Sequence, residues 1–472
     1  MTTLVVDLDG TLLRSDLLAE TGLLFARSHP LRLLLPFLWL MKGRAAVKHE
    51  LAAHAEIDVA ALPYDEKVLS FIRDARAAGR RVTLATASCQ KLAGQIAHHL
   101  GLFDEVLASG PTLNLAGDAK RDALLSRYGE QGFDYLGNSG DDLPVWRAAR
   151  KTLVANASAR VERKARALDN FEGVVSRSQA QSMDWIKALR LHQWLKNLLI
   201  FVPLLTSHRY TETPLLWQAL LGFFCFGLCA SSVYLLNDLL DLRDDRQHAR
   251  KRFRPFASGR LSPLAGLAAF PMLLCIAFGL ALWLLPPAFA LAVLAYYALT
   301  LAYSMWLKRL MIVDVIALAM LYTLRIVTGA VMLAIPLSFW LLAFSTFFFL
   351  SLALVKRYAE LFPLQGLEEN GKVPGRGYHA ADFPMIAALG AASGYTAVIV
   401  MALYIHDEAA LQYYRHPEYI WVSCLLLLTW ISRVWILAHR GMMHEDPVIF
   451  AARDRTSLVT AALMAFVFWA AT

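Results

Sequence analysis

At 472 residues the chain is long enough for two or three domains, and its character changes halfway from an ordinary α/β stretch to apolar segments that raise the hydrophobic fraction to 57%. Much of the net charge of +8 belongs to loops facing anionic lipid or phosphate, so the charge is not read as nucleic-acid binding. Five cysteines, Cys89, Cys225, Cys229, Cys275 and Cys424, are an odd number without metal-ligand spacing, which argues against disulfides and zinc.

Met1-Thr2-Thr3 runs straight into a strand with no signal peptide, so the N-terminus is expected in the cytoplasm. The run Leu4-Val5-Val6-Asp7-Leu8-Asp9-Gly10-Thr11-Leu12 reads as a short buried strand ending in two acids and a turn glycine. A carboxylate at a strand's C-terminal end sits where open α/β sheets bind ligands. Leu31 to Met41 is strongly apolar but only about half the length that spans a bilayer. It is either a cap resting on the membrane surface or a cap helix buried on the α/β core. A second strand, Arg81 to Ser88, ends in hydroxyls; Lys120 follows, and a third string runs from Tyr135 to Asp142.

Four such strings in this order resemble the haloacid dehalogenase superfamily of phosphatases, over about residues 1 to 165. The resemblance implies a Rossmann-like α/β fold with a small helical cap. By it, Asp7 is the nucleophile that forms an aspartyl phosphate and Asp9 the acid/base for the leaving alcohol. Thr86 and Lys120 would hold the transferring phosphoryl group, and Mg²⁺ would rest on Asp7, the Asp9 carbonyl and the motif from Asn138 to Asp142. The family usually has Asp where Asn138 stands, so metal binding is expected either to be weaker or to lean on Asp141 or Asp142. A degenerate domain kept for docking is the alternative, and the presence of both Asp7 and Asp9 argues against it.

Residues 166–184, including the Ser- and Gln-containing stretch from Asn170 to Met183, read as a linker. From 185 to 472 an all-α polytopic membrane domain is expected, with nine transmembrane helices beginning near Trp194, Leu215, Leu264, Ala288, Ile312, Ser338, Pro384, Tyr419 and Thr456. Tracing nine crossings places the loops near 238–263, 305–311, 356–383 and 438–455 in the cytoplasm. The opposite loops carry only Arg209 and Arg415 as clear cations, as the positive-inside rule requires.

In the first of those loops Asn237, Asp241 and Asp245 are spaced i, i+4, i+8, one helical face with Cβ atoms roughly 5 to 6 Å apart. Carboxylates that close repel unless a cation sits among them, and hard oxygen ligands suit Mg²⁺ carrying a substrate phosphate. Arg246, Arg250, Lys251, Arg252 and Arg254 follow, so acids for metal adjoin bases for phosphate. A charged loop that only satisfies topology is the bland alternative, weighed against the cost of acids near a membrane.

The pattern Asn-Asp, two residues, Asp, three residues, Asp in a polytopic chain resembles the UbiA superfamily of intramembrane prenyltransferases, over roughly residues 185 to 472. In that superfamily nine helices surround a cavity and the motif holds Mg²⁺ on a diphosphate. Its usual second motif, Asp-x-x-x-Asp, is incomplete here: Asp314 is followed by Leu318. The strings around His192 to Asn197, Lys251 to Pro255, Tyr322 to Arg325, Lys356 to Leu361 and Ala452 to Arg455 resemble instead the decaprenyl-phosphate phosphoribosyltransferase branch. Arg325 lies three helical turns after Asp314, roughly 16 Å along the axis and on nearly the same side, where a membrane cation should face the interior.

Lys196, Asn197, Arg246, Lys251, Arg254, Asp314, Tyr322, Arg325, Lys356 and Arg357 are the expected substrate-binding residues, sharing a ribose 5-phosphate, a diphosphate and a lipid phosphate. The expected reaction joins phosphoribosyl pyrophosphate to polyprenyl phosphate with Mg²⁺, and the fused phosphatase would remove the 5-phosphate, helped by tethering. The setting is a bacterial inner membrane with catalytic loops cytoplasmic; a homo-oligomer is compatible with the sequence. One rival is a prenyltransferase joining polyprenyl diphosphate to an aromatic acceptor, which a complete second motif would have favoured. A transporter is the other, and the chain lacks a clear internal repeat.

Overall fold

The computed structural model describes residues 2–177, 180–362, 377–407, 413–443 and 446–472. Parts of the expected linker and of the loops at 356–383 and 438–455 lie outside the described residues. The chain divides into two compact units, Met1–Leu189 with Tyr234–Phe270, and Arg190–Val233 with Pro271–Thr472.

The first unit is built on a six-stranded parallel sheet: β1 Thr3–Val6, β2 Val82–Cys89, β3 Glu105–Ser109, β4 Phe133–Gly137, β5 Lys151–Ala155 and β6 Phe171–Ser176, in spatial order 3-2-1-4-5-6. Every residue of β1 and β4 is buried, as expected of strands covered on both faces by crossover helices. Val6 pairs with Leu84 on one side and Leu136 on the other, so the strand order reverses at the β1/β4 junction. Ligands bind at such a switch point, outside the carboxyl ends of the strands.

β6 falls inside the stretch expected as a linker; Leu153 and Val154 of β5 pair with Gly173 and Val174. Buried Asp65 ties this edge to the centre. Its carboxylate accepts from Arg14 Nε at 3.0 Å, Asn156 Nδ2 at 2.8 Å and Ser176 Oγ at 2.8 Å, and it caps the helix Glu66–Ala77. Burial alone would raise this acid, but Asn156, Arg14 and Ser176 together hold it below the ordinary carboxylate range.

A helical cap follows β1, with helices Leu17–Ser28, Leu35–Leu40 and Arg44–His54. No residue of Leu35–Leu40 is buried, so this helix is not the core-packed element that one sequence reading allowed.

The second unit is helical. Among the described residues the chain has seven helices long and apolar enough to cross a membrane: Thr213–Leu240, Pro263–Leu284, Pro287–Met305, Val313–Leu333, Phe339–Leu361, Ala380–Tyr404 and Pro417–His439. Two of the nine expected spans fall short of that length. The segment near Trp194 is a 3₁₀ run, Leu191–Phe201, followed by the short helix Val202–Thr206, whose Pro203 lacks the N–H that a continuing helix needs. The last apolar helix, Arg455–Ala471, has 17 residues.

Candidate active sites

In the first unit a cleft of about 630 Å³ opens at the carboxyl ends of β1 and β4. Asp7 follows β1 directly, and its N–H donates to Leu136 O at 2.9 Å. The loop then turns at Gly10, whose φ of +74° is left-handed and where a Cβ would lie 2.0 Å from Asn138 Nδ2. Only glycine lets the Asn138 amide reach this loop.

Asp7 Oδ1 accepts from Lys120 Nζ at 2.8 Å and Oδ2 from Thr11 Oγ1 at 3.3 Å. Burial raises the Asp7 carboxyl to about 7 against the pull of Lys120, with Asp142 and Asp9 adding to the rise. Asp9 Oδ1 accepts from Leu17 N at 2.8 Å, and Oδ2 accepts from Ser88 Oγ at 2.5 Å and Thr86 Oγ1 at 3.4 Å. Burial and then Asp16 raise Asp9 to about 6. A carboxyl whose titration is moved toward neutral pH is suited to giving and taking a proton there.

Both carboxylate oxygens of Asp142, an expected metal ligand, accept hydrogen bonds from the protein. Its Oδ2 accepts from Asn138 N, Ser139 N and Ser139 Oγ, and its Oδ1 from Tyr135 Oη at 2.7 Å and Lys120 Nζ at 3.4 Å. These contacts make Asp142 a positioning residue for Lys120 and the Asn138 backbone. The remaining oxygen donors, the Asp7 carboxylate and the Asn138 amide with exposed Asp141 also on the cleft wall, are the hard ligands that Mg²⁺ takes.

Sequence reasoning picked Thr86 but missed Ser88. Thr86 is fully buried and accepts from Ser88 N at 3.0 Å, whereas Ser88 lines the cleft. It also missed Lys48 of the cap, which lines the cleft and donates to Ala87 O at 2.6 Å and Asn114 Oδ1 at 3.0 Å.

The acidic motif belongs to this same unit. The helix ends at Leu240 and the chain bends at Asp241 (φ −94°, ψ 10°) before a new short helix, Leu242–Gln247. Across this bend Asp241 N still donates to Asn237 O at 2.9 Å and Asp245 N to Asp241 O at 2.8 Å, so the three residues keep their i, i+4 succession. Arg254 Nη1 lies 3.1 Å from Asp238 Oδ1 and 2.6 Å from Asp245 Oδ2, so a guanidinium stands between two carboxylates. Burial raises Asp245, opposed by Arg254. Asp241 lies 3.5 Å from Arg27, which also pairs with Asp244 at 2.6 Å. Arg246 pairs with Glu20 and donates to Ala257 O at 3.1 Å, while Lys251 is exposed. Downstream, Gly259, Arg260, Ser262 and Leu264 form part of the wall of the phosphatase-like cleft. Gly259 has φ +70°, and a Cβ there would lie 2.7 Å from Arg14 Cβ.

In the second unit Asp446 gathers three of the expected residues. It accepts from Lys196 Nζ at 2.7 Å, Lys356 Nζ at 3.2 Å and Tyr322 Oη at 3.0 Å. Lys356 and Lys196 hold its carboxyl well below the ordinary range, outweighing the larger effect of burial, which raises it. Two ammonium groups share one buried carboxylate, so the cluster is net positive. Arg325 is buried beside this cluster: Nε donates to Asn197 Oδ1 at 3.1 Å, Nη1 to Leu321 O and Nη2 to Tyr296 Oη at 3.0 Å, with its guanidinium over the Phe226, Tyr296 and Tyr322 rings. Asp314 and Arg357, both fully buried, pair at 2.9 Å, and Tyr378 Oη donates to Asp314 at 2.5 Å. These two join helices rather than line an open site.

The haloacid dehalogenase-like hydrolase family matches residues 4–147, and the UbiA prenyltransferase family matches residues 199–452. An uncharacterized protein of Sinorhizobium fredii, y4nM, is 40% identical over 98% of this chain and 90% of its own length. The nodulation protein NoeC of Azorhizobium caulinodans is 38% identical, covering 59% of this chain and 89% of its own. A decaprenyl-phosphate phosphoribosyltransferase of Mycobacterium tuberculosis is 38% identical over 37% of this chain and 59% of its own length. The chain is a multi-pass membrane enzyme that belongs to the UbiA prenyltransferase family and carries a haloacid dehalogenase-like hydrolase domain at its N-terminal end.

Proposed function

We propose that the membrane domain transfers the 5-phosphoribosyl group of phosphoribosyl pyrophosphate to polyprenyl phosphate, and that the α/β domain then removes the 5-phosphate to leave polyprenyl-phospho-ribose. The observation that carries this reading is the net-positive cluster of Lys196 and Lys356 around Asp446, with Tyr322 as a further donor. An excess of positive charge on buried Lys196 and half-buried Lys356 calls for an anionic ligand. Similarity to decaprenyl-phosphate phosphoribosyltransferases supports the choice of donor. So does Asp314, which is paired with Arg357 and lacks a second acid at Leu318.

In the transfer, the bond from C1 to pyrophosphate breaks, pyrophosphate leaves with the electron pair, and an oxygen of the lipid phosphate bonds to C1. No protein nucleophile is needed. Asn237, Asp241 and Asp245, joined by Asp238, offer hard oxygens, and Mg²⁺ bound there would stabilise the departing pyrophosphate. Arg254 neutralises Asp238 and Asp245 in its place.

In the hydrolysis, Asp7 attacks the 5-phosphate and Asp9 gives its proton to the departing C5 oxygen. Water then attacks the aspartyl phosphate while Asp9 takes up its proton, releasing phosphate and regenerating Asp7. Lys120 offsets the charge gathered on the phosphoryl group, held by Asp142 and Tyr135. Asp7, the Asp9 carbonyl and Asn138 would be the donors for Mg²⁺ here. Both substrates' polar parts are cytoplasmic in this scheme, and the membrane is the bacterial inner membrane.

The test is purified full-length protein in detergent with labelled phosphoribosyl pyrophosphate, polyprenyl phosphate and Mg²⁺, comparing wild type with Asp7→Asn. Lipid label that keeps its 5-phosphate only in the variant is the expected result. No lipid label, alongside reaction of polyprenyl diphosphate with an aromatic acceptor, would overturn it.

A further inference from the structure

The cap carries an apolar surface that nothing in its own unit covers. Leu31 is 94% exposed, Leu34 75%, Phe37 68% and Met41 85%. Such a patch, flanked by exposed Arg32, Lys42 and Arg44, has the composition of an interfacial segment whose cations meet anionic headgroups.

Its place in the unit identifies what covers it. Leu40, at the end of the cap helix, and Leu264 line the same cleft, together with Leu18, Asp7 and Asp9. Leu264 is the second residue of the helix Pro263–Leu284, whose most apolar window has mean hydropathy 2.3 and is only 11% buried. A helix so apolar and so little covered by protein turns most of its surface to lipid, which brings the bilayer surface close to Leu264. Leu40, on the wall of the same cleft, stands beside that surface.

We propose that Leu31–Met41 lies in the bilayer interface and that the phosphatase cleft opens against the headgroups, so its substrate is a phosphate monoester on the headgroup of a membrane-anchored lipid. The proposal rests on the phosphatase reading of the α/β domain and names the source of its substrate. Within the cleft wall Asp7 is buried and Asp9 half-buried, whereas Leu18, Leu40 and Leu264 are exposed, an apolar set suited to the lipid side.

The surface is tested on the full chain in nanodiscs of phosphatidylglycerol and phosphatidylcholine. Cys275, the one exposed cysteine among the described residues, is replaced by Ser, and bimane is placed at Phe37→Cys or, as a control, at exposed Arg163→Cys. Nitroxide-labelled lipid should quench the first several-fold and leave the second unchanged. Equal quenching at both positions, or none at Phe37, overturns the interfacial placement; crosslinking between copies through Phe37→Cys would assign the face to a second chain instead. The substrate is tested with Leu34→Asp/Phe37→Asp, two residues off the cleft wall. Hydrolysis of p-nitrophenyl phosphate should stay within twofold of wild type while that of a lipid-borne monoester falls tenfold or more. An equal fall in both overturns the lipid route, and quenching with no hydrolysis by the wild type would sink the phosphatase reading alone.

Discussion

Arg246 and Glu20 stand 226 residues apart in the chain, yet two hydrogen bonds of 3.0 and 2.5 Å join their side chains inside one compact unit. The loop that carries the acidic motif is thereby fastened to the first helix of the phosphatase-like domain. Both side chains are only 7% exposed, so removing one leaves the other charged and buried. Such a loss costs about 3 to 5 kcal/mol. Arg246→Met should therefore lower the thermal unfolding temperature and expose the loop at 247–254 to protease, and Arg246→Met with Glu20→Leu should restore most of the stability. A single variant as stable as wild type would show that the pair is dispensable.

This pair also marks what sequence could and could not supply. The strings around Asp7, Lys120 and Asn237 to Asp245 were readable because each chemistry is local: a carboxylate at a strand end, or acids repeated along one segment. Arg246 looked like a phosphate ligand because its neighbours were basic; its partner Glu20 lies far off in sequence. Asp446 was missed for the same reason, since its lysines are 250 and 90 residues away and a lone acid has no period. The strand Phe171–Ser176 is hidden in the stretch whose Ser and Gln read as linker; β5 supplies the pairing that fixes it.

Lys120 and Asp142 should separate by assay. Lys120→Met removes the cation beside Asp7, and loss of such a charge at a reacting phosphoryl group should lower kcat by about 10² to 10³. Asp142→Asn keeps the shape but weakens the hold on Lys120 and the Asn138 backbone, so a smaller loss is expected. Turnover of p-nitrophenyl phosphate by both variants, with circular dichroism to confirm folding, decides the order. A larger loss in Asp142→Asn would make it more than a positioning residue.

The raised Asp7 carboxyl has a consequence for stability. In the folded state it titrates at about 7, against an ordinary value of 3.8 when unfolded. A raised carboxyl favours folding below the ordinary value, and that contribution is lost as pH rises through the folded one. Asp7→Asn cannot ionise, so its unfolding temperature relative to wild type should rise between pH 5 and pH 8 in metal-free buffer. Constancy of that difference across the range would refute the effect of burial.

Arg254 should compete with divalent metal. Its Nη1 holds Asp238 and Asp245 together, and Arg254→Met leaves two buried carboxylates repelling one another. Without metal the variant should unfold earlier than wild type. Mg²⁺ should raise its unfolding temperature more than that of wild type, because the cation takes up the carboxylates that Arg254 has left. Equal stabilisation by Mg²⁺ in both proteins would place the metal elsewhere.

Asp314 and Arg357 explain why adding back an acid should not change the reaction. Arg357 Nε lies 2.9 Å from Asp314 Oδ2, Tyr378 takes the other oxygen, and neither charged side chain is exposed. A carboxylate so enclosed cannot turn toward a ligand without giving up both Arg357 and Tyr378, while Arg357 keeps its pairing with Glu360. Leu318→Asp completes the sequence pattern of a second acidic motif, yet it should give no aromatic prenyl transfer, because its partner stays locked. Asp314→Leu should be strongly destabilising, and Asp314→Leu with Arg357→Met should recover much of the loss, since a buried pair replaced by apolar side chains of similar size is often neutral. The measurement is a double-mutant cycle of unfolding temperature in detergent, run beside the transfer assay. Appearance of prenyl transfer in Leu318→Asp would mean that Asp314 is free to bind metal and that its pairing with Arg357 gives way during catalysis.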